Sequence, residues 1–301
     1  MSWKNLKIFA IITLLVMDIV FAFFVIERRY SVSYYDDTLI DSAITVFSAS
    51  DLHVDRSFLE AKKKMPAVYT GKITSTLFSE VTEAMERGGY QIQEDTGGMR
   101  FVGETDEFFF GNDFIFTYIS AEGIKLPSVL LEEGLWVALS DGEEKTSVFQ
   151  TAIDFLKSKA LISDTFAHYS YDISCRYVYR LGGNYIVHLI QSVDGMALES
   201  GLYLLISDGN VTCADGTFSI LLPKDKKSAE NADLLNILFA EKAYIASLDK
   251  NTSDYTVSDI SYSYGLYFDS DDTFYLIPLC KITYLNGEER VYNFVSGKLY
   301  A

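Results

Sequence analysis

The feature that most constrains this chain is an apolar run near its start, from Ile8 to Ile26, in which Thr13 and Asp18 are the only polar side chains. At 1.5 Å per residue a helix over this run is about 28 Å long, close to the roughly 30 Å of a bilayer's hydrocarbon core. The run ends in bulky residues, whereas a signal peptide ends in a small-residue cleavage site. The sequence therefore predicts a cytoplasmic tail over 1–7 and a transmembrane helix over 8–27.

A carboxyl group in the middle of a membrane span costs roughly 3 kcal/mol on insertion scales, so Asp18 is expected to be neutral or to contact a partner. A polar residue tolerated in a very apolar helix is an equally good interpretation. The predicted partner-binding residues are Asp18 and those within about one turn of it: Leu14, Leu15, Phe21 and Ala22. Because the following region has no second apolar span and resembles an exported domain, we expect the N-terminus in the cytoplasm and the main domain outside it.

The charge of the chain limits the classes of partner. The 42 acidic residues against 25 basic ones, a net charge of -17, argue against nucleic acid, since neutralising phosphates needs clustered Lys and Arg. Cys175, Cys213 and Cys280 lie far apart with no spacing typical of a metal or redox site. We expect each to be a small buried residue, and a bridge between Cys175 and Cys213 stays open.

Apolar side chains at helical spacing alternate with short strand-like segments that end at Gly, Asn or Asp. The predicted helices lie near Leu39–Phe47, at Ser75–Arg87, at about 146–162 and at Asn231–Leu248. Gly182-Gly183, Asp194-Gly195 and Asp208-Gly209 predict tight turns, and Asn286-Gly287 gives the clearest type I′ signal.

The order of a helix followed by several strands occurs twice in the second half, which suggests an internal duplication. The predicted fold is α+β: one N-terminal transmembrane helix followed by antiparallel sheets, each packed by a helix. The predicted regions beyond the anchor are an N-terminal extracytoplasmic α+β region, a middle unit and a closing unit, over 31–140, 143–222 and 228–301.

No catalytic or metal-binding motif occurs in the sequence. His53, His168 and His188 have no second histidine at ligand spacing, and His188 is expected to be a core or sheet-surface histidine. The acidic loop that begins at Asp269 lacks the glycine and glutamate of an EF-hand. The sequence thus predicts a protein that is not an enzyme and holds no cofactor or metal.

Tyrosines at a spacing of two residues share one face of a strand, as at Tyr177 and Tyr179 and again at Tyr262 and Tyr264. Most should be covered by the helix of their own unit. Any face left uncovered would suit protein recognition, because tyrosine gives a large contact area at a small entropy cost.

Three segments together resemble the YycH/YycI family: the start MSWKNLKIFAIITLLVMDIVFAFF, the central NYIVHLIQSVDGMALESGLYLLISDGNV, and the ending with Tyr292-Asn293-Phe294-Val295-Ser296-Gly297. Phe294 departs from the family's usual alanine. The resemblance implies a membrane-anchored extracytoplasmic regulator that contacts a cell-wall sensor histidine kinase, and also a paralogous regulator, without performing chemistry. The closing unit is similar to a PepSY-type domain.

Two alternatives follow from other function classes. A PepSY-like inhibitor or chaperone of an exported peptidase should act through residues 31–301 alone. An exported hydrolase with a dispersed site would need a deep polar pocket around His168 or His188.

Overall fold

The structure is a computed structural model, and it describes residues 17, 34–61, 66–72, 75–121, 136–162, 172–219, 225–229, 233–248, 255–269 and 273–300. The helices are α1 (Asp37–Ser48), α2 (Arg56–Glu60), α3 (Ser75–Arg87), α4 (Glu143–Ser158) and α5 (Leu234–Ser247). The strands are β1 (Leu52–His53), β2 (Ala67–Lys72), β3 (Gln91–Asp95), β4 (Gly98–Val102), β5 (Asp106–Gly111), β6 (Ile115–Ser120), β7 (Val137–Ala138), β8 (Asp172–Leu181), β9 (Asn184–Val193), β10 (Met196–Ser207), β11 (Asn210–Thr217), β12 (Asp225–Ser228), β13 (Tyr255–Phe268), β14 (Thr273–Tyr284) and β15 (Glu289–Asn293).

The predicted fold class is corrected in its membrane part. Within the described ranges, no helix has both the length and the apolar composition that a membrane crossing requires. The predicted span at 8–27 lies outside those ranges except for Met17, and so do the predicted partner-binding residues Leu14, Leu15, Asp18, Phe21 and Ala22. The fold that the structure supports is mixed α+β with a large sheet.

The chain divides into two compact units, each built from separate stretches of sequence. Unit 1 comprises residues 1–66, 228–261 and 279–301, and unit 2 comprises residues 67–227 and 262–278. Strands β13 and β14 each contribute residues to both units. The division predicted from the sequence, into continuous regions, stays a prediction.

The sheet of unit 2 is mainly a series of antiparallel neighbours, in the order β3, β4, β5, β6, β11, β10, β9, β8, β7. One of its faces carries the largest core cluster, which includes Phe101, Phe108, Val187 and Leu204. Helix α4 packs on this face through its buried side chains Val148, Ala152 and Leu156, and α3 contributes Val81 and Met85 to the same cluster. The two helices that the structure describes in unit 2 therefore cover the same side of the sheet.

Parallel pairing is a second correction to the predicted antiparallel sheets. Strand β10 pairs in parallel with β13, with Ala197 opposite Ser263 and Leu198 opposite Tyr264. Leu198 and Tyr264 belong to a separate apolar cluster with Tyr69, whose ring meets that of Tyr264 edge-on at 5.6 Å. The parallel pairing joins segments more than sixty residues apart in sequence, which a local periodicity does not reveal.

Three of the four predicted turns have the backbone that their sequences indicate, and one does not. Gly182-Gly183 connects the paired residues Leu181 and Asn184 as a two-residue turn, with a φ of 61° at Gly182. Asp194 and Asp208 have φ near 50° and are each followed by a glycine with positive φ, as a type I′ turn requires. In the Asn286-Gly287 pair only Gly287 is left-handed, with φ of 82°. Because Gly287 N–H donates to the Tyr284 carbonyl at 3.0 Å, this hairpin has a longer loop, and the type I′ prediction is wrong there.

Unit 1 packs α1 and α5 against each other and against short strand segments. The predicted amphipathic helix is confirmed: Ile40, Ala43 and Phe47 of α1 are buried, and the Phe47 ring meets Phe239 of α5 edge-on at 5.0 Å. The α1 N-cap is Asp36, whose carboxylate accepts from the Thr38 backbone N–H at 2.9 Å. Strand β15 extends the sheet by antiparallel pairing with β14.

Unit 1 contains a buried ion pair. The Glu241 side chain on α5 is completely buried and accepts hydrogen bonds from the Arg290 guanidinium and the Tyr292 hydroxyl. Arg290 also donates to Glu288 at 2.6 and 3.1 Å. Its guanidinium lies 4.5 Å from the centre of the Tyr244 ring.

Unit 2 contains a second ion pair in an aromatic environment. Lys159, just after α4, pairs with Asp106 on β5, and the two side chains are 10% and 12% exposed. The Tyr90 hydroxyl donates to the Asp106 carboxylate at 2.8 Å and accepts from the Lys159 ammonium. The ammonium lies 5.0 Å from the centre of the Tyr118 ring, so that each unit buries charge beside tyrosine rings.

Candidate functional site

The face of the unit 2 sheet opposite its helices carries a row of aromatic side chains. In strands β8, β9 and β10, Val178, Val187 and Leu204 point into the helix-covered core. Since neighbouring residues of a strand alternate between faces, Tyr177, His188 and Tyr203 lie on the other side, directly opposite one another across the three strands. We call Tyr177, Tyr179, His188 and Tyr203 the tyrosine face.

His188 is held between two of these rings. Its imidazole stacks on the Tyr203 ring at 4.2 Å with the planes 2° apart, and it contacts the Tyr177 ring at 4.9 Å. A side chain at residue 201 would begin only 2.4 Å from His188 Nε2, so that Gly201 makes room for the imidazole. The stack joins three strands into one rigid aromatic surface.

The environment of His188 favours its neutral form. Its side chain is 4% exposed, and its Nδ1 has no hydrogen-bond partner in the described structure. Burial, together with the nearby positive charge of Arg176, lowers the pKa of His188 to about 4. The prediction of a core or sheet-surface histidine is thus confirmed for His188, whose described ring neighbours are Tyr177 and Tyr203.

A cleft of about 420 Å³ opens on the same side of the sheet. Among its lining residues are Phe109 and Ile119, together with the carboxylates of Asp95, Glu107 and Asp215. Arg100 at its edge pairs with Asp95 and Glu107, both at 2.9 Å. The cleft is therefore partly apolar and acidic.

Strand register joins this cleft to the tyrosine face. Asp215 of β11 stands opposite Tyr203, and its neighbour on the same face, Cys213, stands opposite Leu205. Cys213 also packs in a small cluster with Trp136, Tyr179 and Tyr203. The cleft and the tyrosine face thus form one continuous surface.

A second, larger cleft of about 860 Å³ lies beside the C-terminal half of α4. Its lining is mostly polar and includes Asp154, Ser158, Asn210 and Thr212, with Lys159 at its wall. Because the Lys159 ammonium is already paired with Asp106, it offers little free charge to a ligand. We therefore take the surface around Tyr203 as the candidate site.

The sequence located part of this site. It placed Tyr177 and Tyr179 on one strand face, but the expectation that a helix of their unit covers them is wrong, because α4 packs on the opposite face. Tyr264 is buried in another cluster, whereas Tyr267 is 52% exposed. His168, Tyr169 and Tyr171 lie outside the described residues.

Sequence reasoning missed Tyr203, Asp215 and Trp136. Alternation within LYLLIS could have indicated Tyr203, but the register that aligns it with His188 and Asp215 depends on pairing between separate strands. None of the three cysteines forms a disulfide in the structure, so the open question of a bridge between Cys175 and Cys213 is answered against it. Within the described ranges, no group of three or more His, Cys, Asp or Glu side chains has an arrangement that could hold a metal ion.

Comparisons with known proteins give distant structural neighbours. No family model and no curated protein matches the chain. An uncharacterized protein from Eubacterium rectale ATCC 33656 is 12% identical, with a TM-score of 0.40 over 79% of this chain and 86% of that one. The Bacillus megaterium YpeB C-terminal domain is 10% identical, with a TM-score of 0.29 over 76% of this chain and 96% of that domain. The resemblance to YycH/YycI stays a prediction.

Proposed function

We propose that this chain is a non-catalytic regulator that works by protein–protein contact, and that its partner is the sensing domain of a cell-wall sensor histidine kinase outside the cytoplasm. The observation that carries the contact is the tyrosine face, which lies on the side of the sheet opposite to the described helices α3 and α4. The kinase as partner comes from the family resemblance of three sequence segments.

The physical properties of the tyrosine face support recognition. Tyrosine and tryptophan are enriched at the centres of protein interfaces, because they bury much area while losing few rotamers. Here the rings of Tyr177 and Tyr203 are already fixed by stacking with His188, so that little further ordering is needed on binding. A half-buried Trp136 beside Tyr179 extends the same surface.

The test is a pull-down of the tagged full-length chain from detergent-solubilised membranes of its source cells, with quantification of any histidine kinase recovered. We expect Tyr179→Thr to lower the recovery about tenfold, as loss of an interface hot spot does. Threonine suits a strand and should leave the sheet intact. The matched control is Tyr267→Thr, which removes an exposed tyrosine on β13 and should leave recovery unchanged.

Two results would overturn the proposal in different ways. Equal kinase recovery by the wild type and Tyr179→Thr would remove the tyrosine face as the contact surface. Recovery of an exported peptidase without a kinase, followed by inhibition of that peptidase by residues 31–301, would establish the alternative of an inhibitor or chaperone.

A further inference from the structure

We propose that the cleft beside the tyrosine face takes a lysine or arginine side chain from an extended segment of the partner, with Asp215 as its counter-charge. The inference rests on the proposed function, because it names the chemistry of the partner that the tyrosine face would contact.

The first support is the state of the carboxylates in the cleft. Arg100 pairs with both Asp95 and Glu107, so each of these carboxylates has a cationic partner, although the three groups together keep one net negative charge. Asp215 has no ion-pair partner in the described part of the chain, although it is only partly exposed and lines the cleft. A half-buried, unpaired carboxylate gains more from a bound cation than an exposed one, since less of the attraction is screened by water.

The second support is the position of Asp215 next to an aromatic ring. In the β10–β11 pairing Asp215 is directly opposite Tyr203, and side chains opposite each other on one face come within about 5 Å at Cβ. A cation that pairs with the carboxylate is therefore close to the Tyr203 ring. Aromatic rings attract ammonium and guanidinium groups, and the molecule already uses this contact at Lys159 and Arg290.

The third support is the mixed character of the rest of the lining. Phe109 and Ile119 offer an apolar wall to the methylene stem of a long basic side chain, whose charge would then reach Asp215. The volume of about 420 Å³ lies within the range of pockets that hold small ligands.

Charge complementarity decides between a basic segment and other occupants. The cleft contains three carboxylates and one guanidinium, within a chain whose net charge is -17. A phosphate or an acidic segment would be repelled, and a wholly apolar segment would leave Asp215 desolvated without a partner. A segment with one basic residue satisfies both the carboxylate and the apolar wall.

The experiment measures binding of short peptides to the purified full-length chain. The probe is an acetylated and amidated pentapeptide of alanines with a central lysine, and its partner replaces lysine with norleucine, which keeps the stem and removes the charge. We expect the lysine peptide to bind at least tenfold more tightly than the norleucine peptide, as followed by titration in NMR.

Two variants make the test specific. Asp215→Thr should weaken the lysine peptide about tenfold and leave the norleucine peptide unchanged. Asp172→Thr, the same change at an exposed position on β8, should change neither. Natively folded Asp215→Thr protein is recognised by an unchanged amide spectrum away from β10 and β11.

The inference is overturned if the two peptides bind equally well, if the lysine peptide fails to bind at millimolar concentration, or if Asp172→Thr weakens it as much as Asp215→Thr. None of these results depends on the kinase pull-down. If both peptides bind equally well while kinase recovery still depends on Tyr179, the cation site alone is rejected. If the wild-type chain recovers no kinase, the proposed function is rejected.

Discussion

Unit 1 and unit 2 each bury an ion pair beside tyrosine rings, but they place the charges in opposite ways. In unit 1 the carboxylate of Glu241 comes from helix α5 and the cation of Arg290 from strand β15. In unit 2 the cation of Lys159 follows helix α4 and the carboxylate of Asp106 comes from strand β5. The helix therefore supplies the acidic residue in unit 1, whereas the strand supplies it in unit 2.

The two pairs also differ in how completely they are removed from water. Glu241 is fully buried, and Arg290 divides its donors between Glu241 and Glu288. Lys159 has a single carboxylate partner and lies at the wall of the 860 Å³ cleft, where water can approach. A buried charge that loses its partner destabilises the fold, because no water replaces the lost interaction. Disruption of the two pairs should therefore lower the free energy of unfolding by different amounts.

The largest effect is expected at Arg290→Met, which leaves Glu241 buried without its cation. We expect the free energy of unfolding to fall by about 3–5 kcal/mol, measured by urea denaturation at pH 7. The double variant Glu241→Leu/Arg290→Met should recover most of this loss. Arg180→Met removes an exposed pair with Glu144 and should change stability by less than about 1 kcal/mol. If Arg290→Met lowered the free energy of unfolding as little as Arg180→Met does, the predicted difference between buried and exposed ion pairs would be wrong.

A smaller effect is expected at Lys159→Met. Asp106 keeps its hydrogen bonds from Tyr90 and can be hydrated through the neighbouring cleft, so we expect a loss of about 2 kcal/mol in the same urea assay. A loss as large as that of Arg290→Met would show that the cleft does not hydrate the carboxylate, and the contrast between the two units would disappear.

The smallest effect concerns His188, a buried basic group of unit 2 that pairs with no carboxylate in the part of the chain that the structure describes. Its pKa of about 4 in the folded chain is below its ordinary value of 6.5, so the stability it contributes is present above pH 6.5 and is lost as the pH falls toward 4. We expect a loss of about 1 kcal/mol by pH 5, less than the full pKa shift implies because local opening can hydrate the ring.

The measurement compares urea unfolding of the wild type and His188→Phe at pH 7 and pH 5. The difference in stability between the two proteins should change by about 1 kcal/mol between these pH values. A pH dependence that is identical in the wild type and His188→Phe would assign the acid sensitivity to other groups.

Features that depend on residues close in sequence could be predicted, whereas features that depend on the pairing of distant segments could not. Helix α3 lies at the predicted residues, Ser75–Arg87, and the Asp194-Gly195 turn has the predicted backbone, because spacing and turn chemistry act over a few residues. At Asn286-Gly287 the dipeptide favours a two-residue turn, but the pairing of β14 with β15 leaves a longer loop.

The candidate site was only partly predictable for the same reason. A strand pattern places Tyr177 and Tyr179 on one face, but it does not say whether that face meets a helix. The pairing of β8 with β9 places Val178 and Val187 on the face that α4 covers, and Tyr177 and Tyr179 on the opposite face. Asp215 acquires its neighbour Tyr203 only through the β10–β11 hairpin register, and Glu241 meets Arg290 across 49 residues of sequence.

The sequence order of unit 1 has a consequence during synthesis on the ribosome. Glu241 leaves the exit tunnel well before Arg290, so the nascent chain carries this carboxylate for dozens of elongation steps without its counter-ion. Helix α5 therefore cannot bury a charged, paired Glu241 until the segment that contains Arg290 has been translated. Unit 2, whose Asp106 and Lys159 emerge earlier, can complete its own ion pair while translation continues.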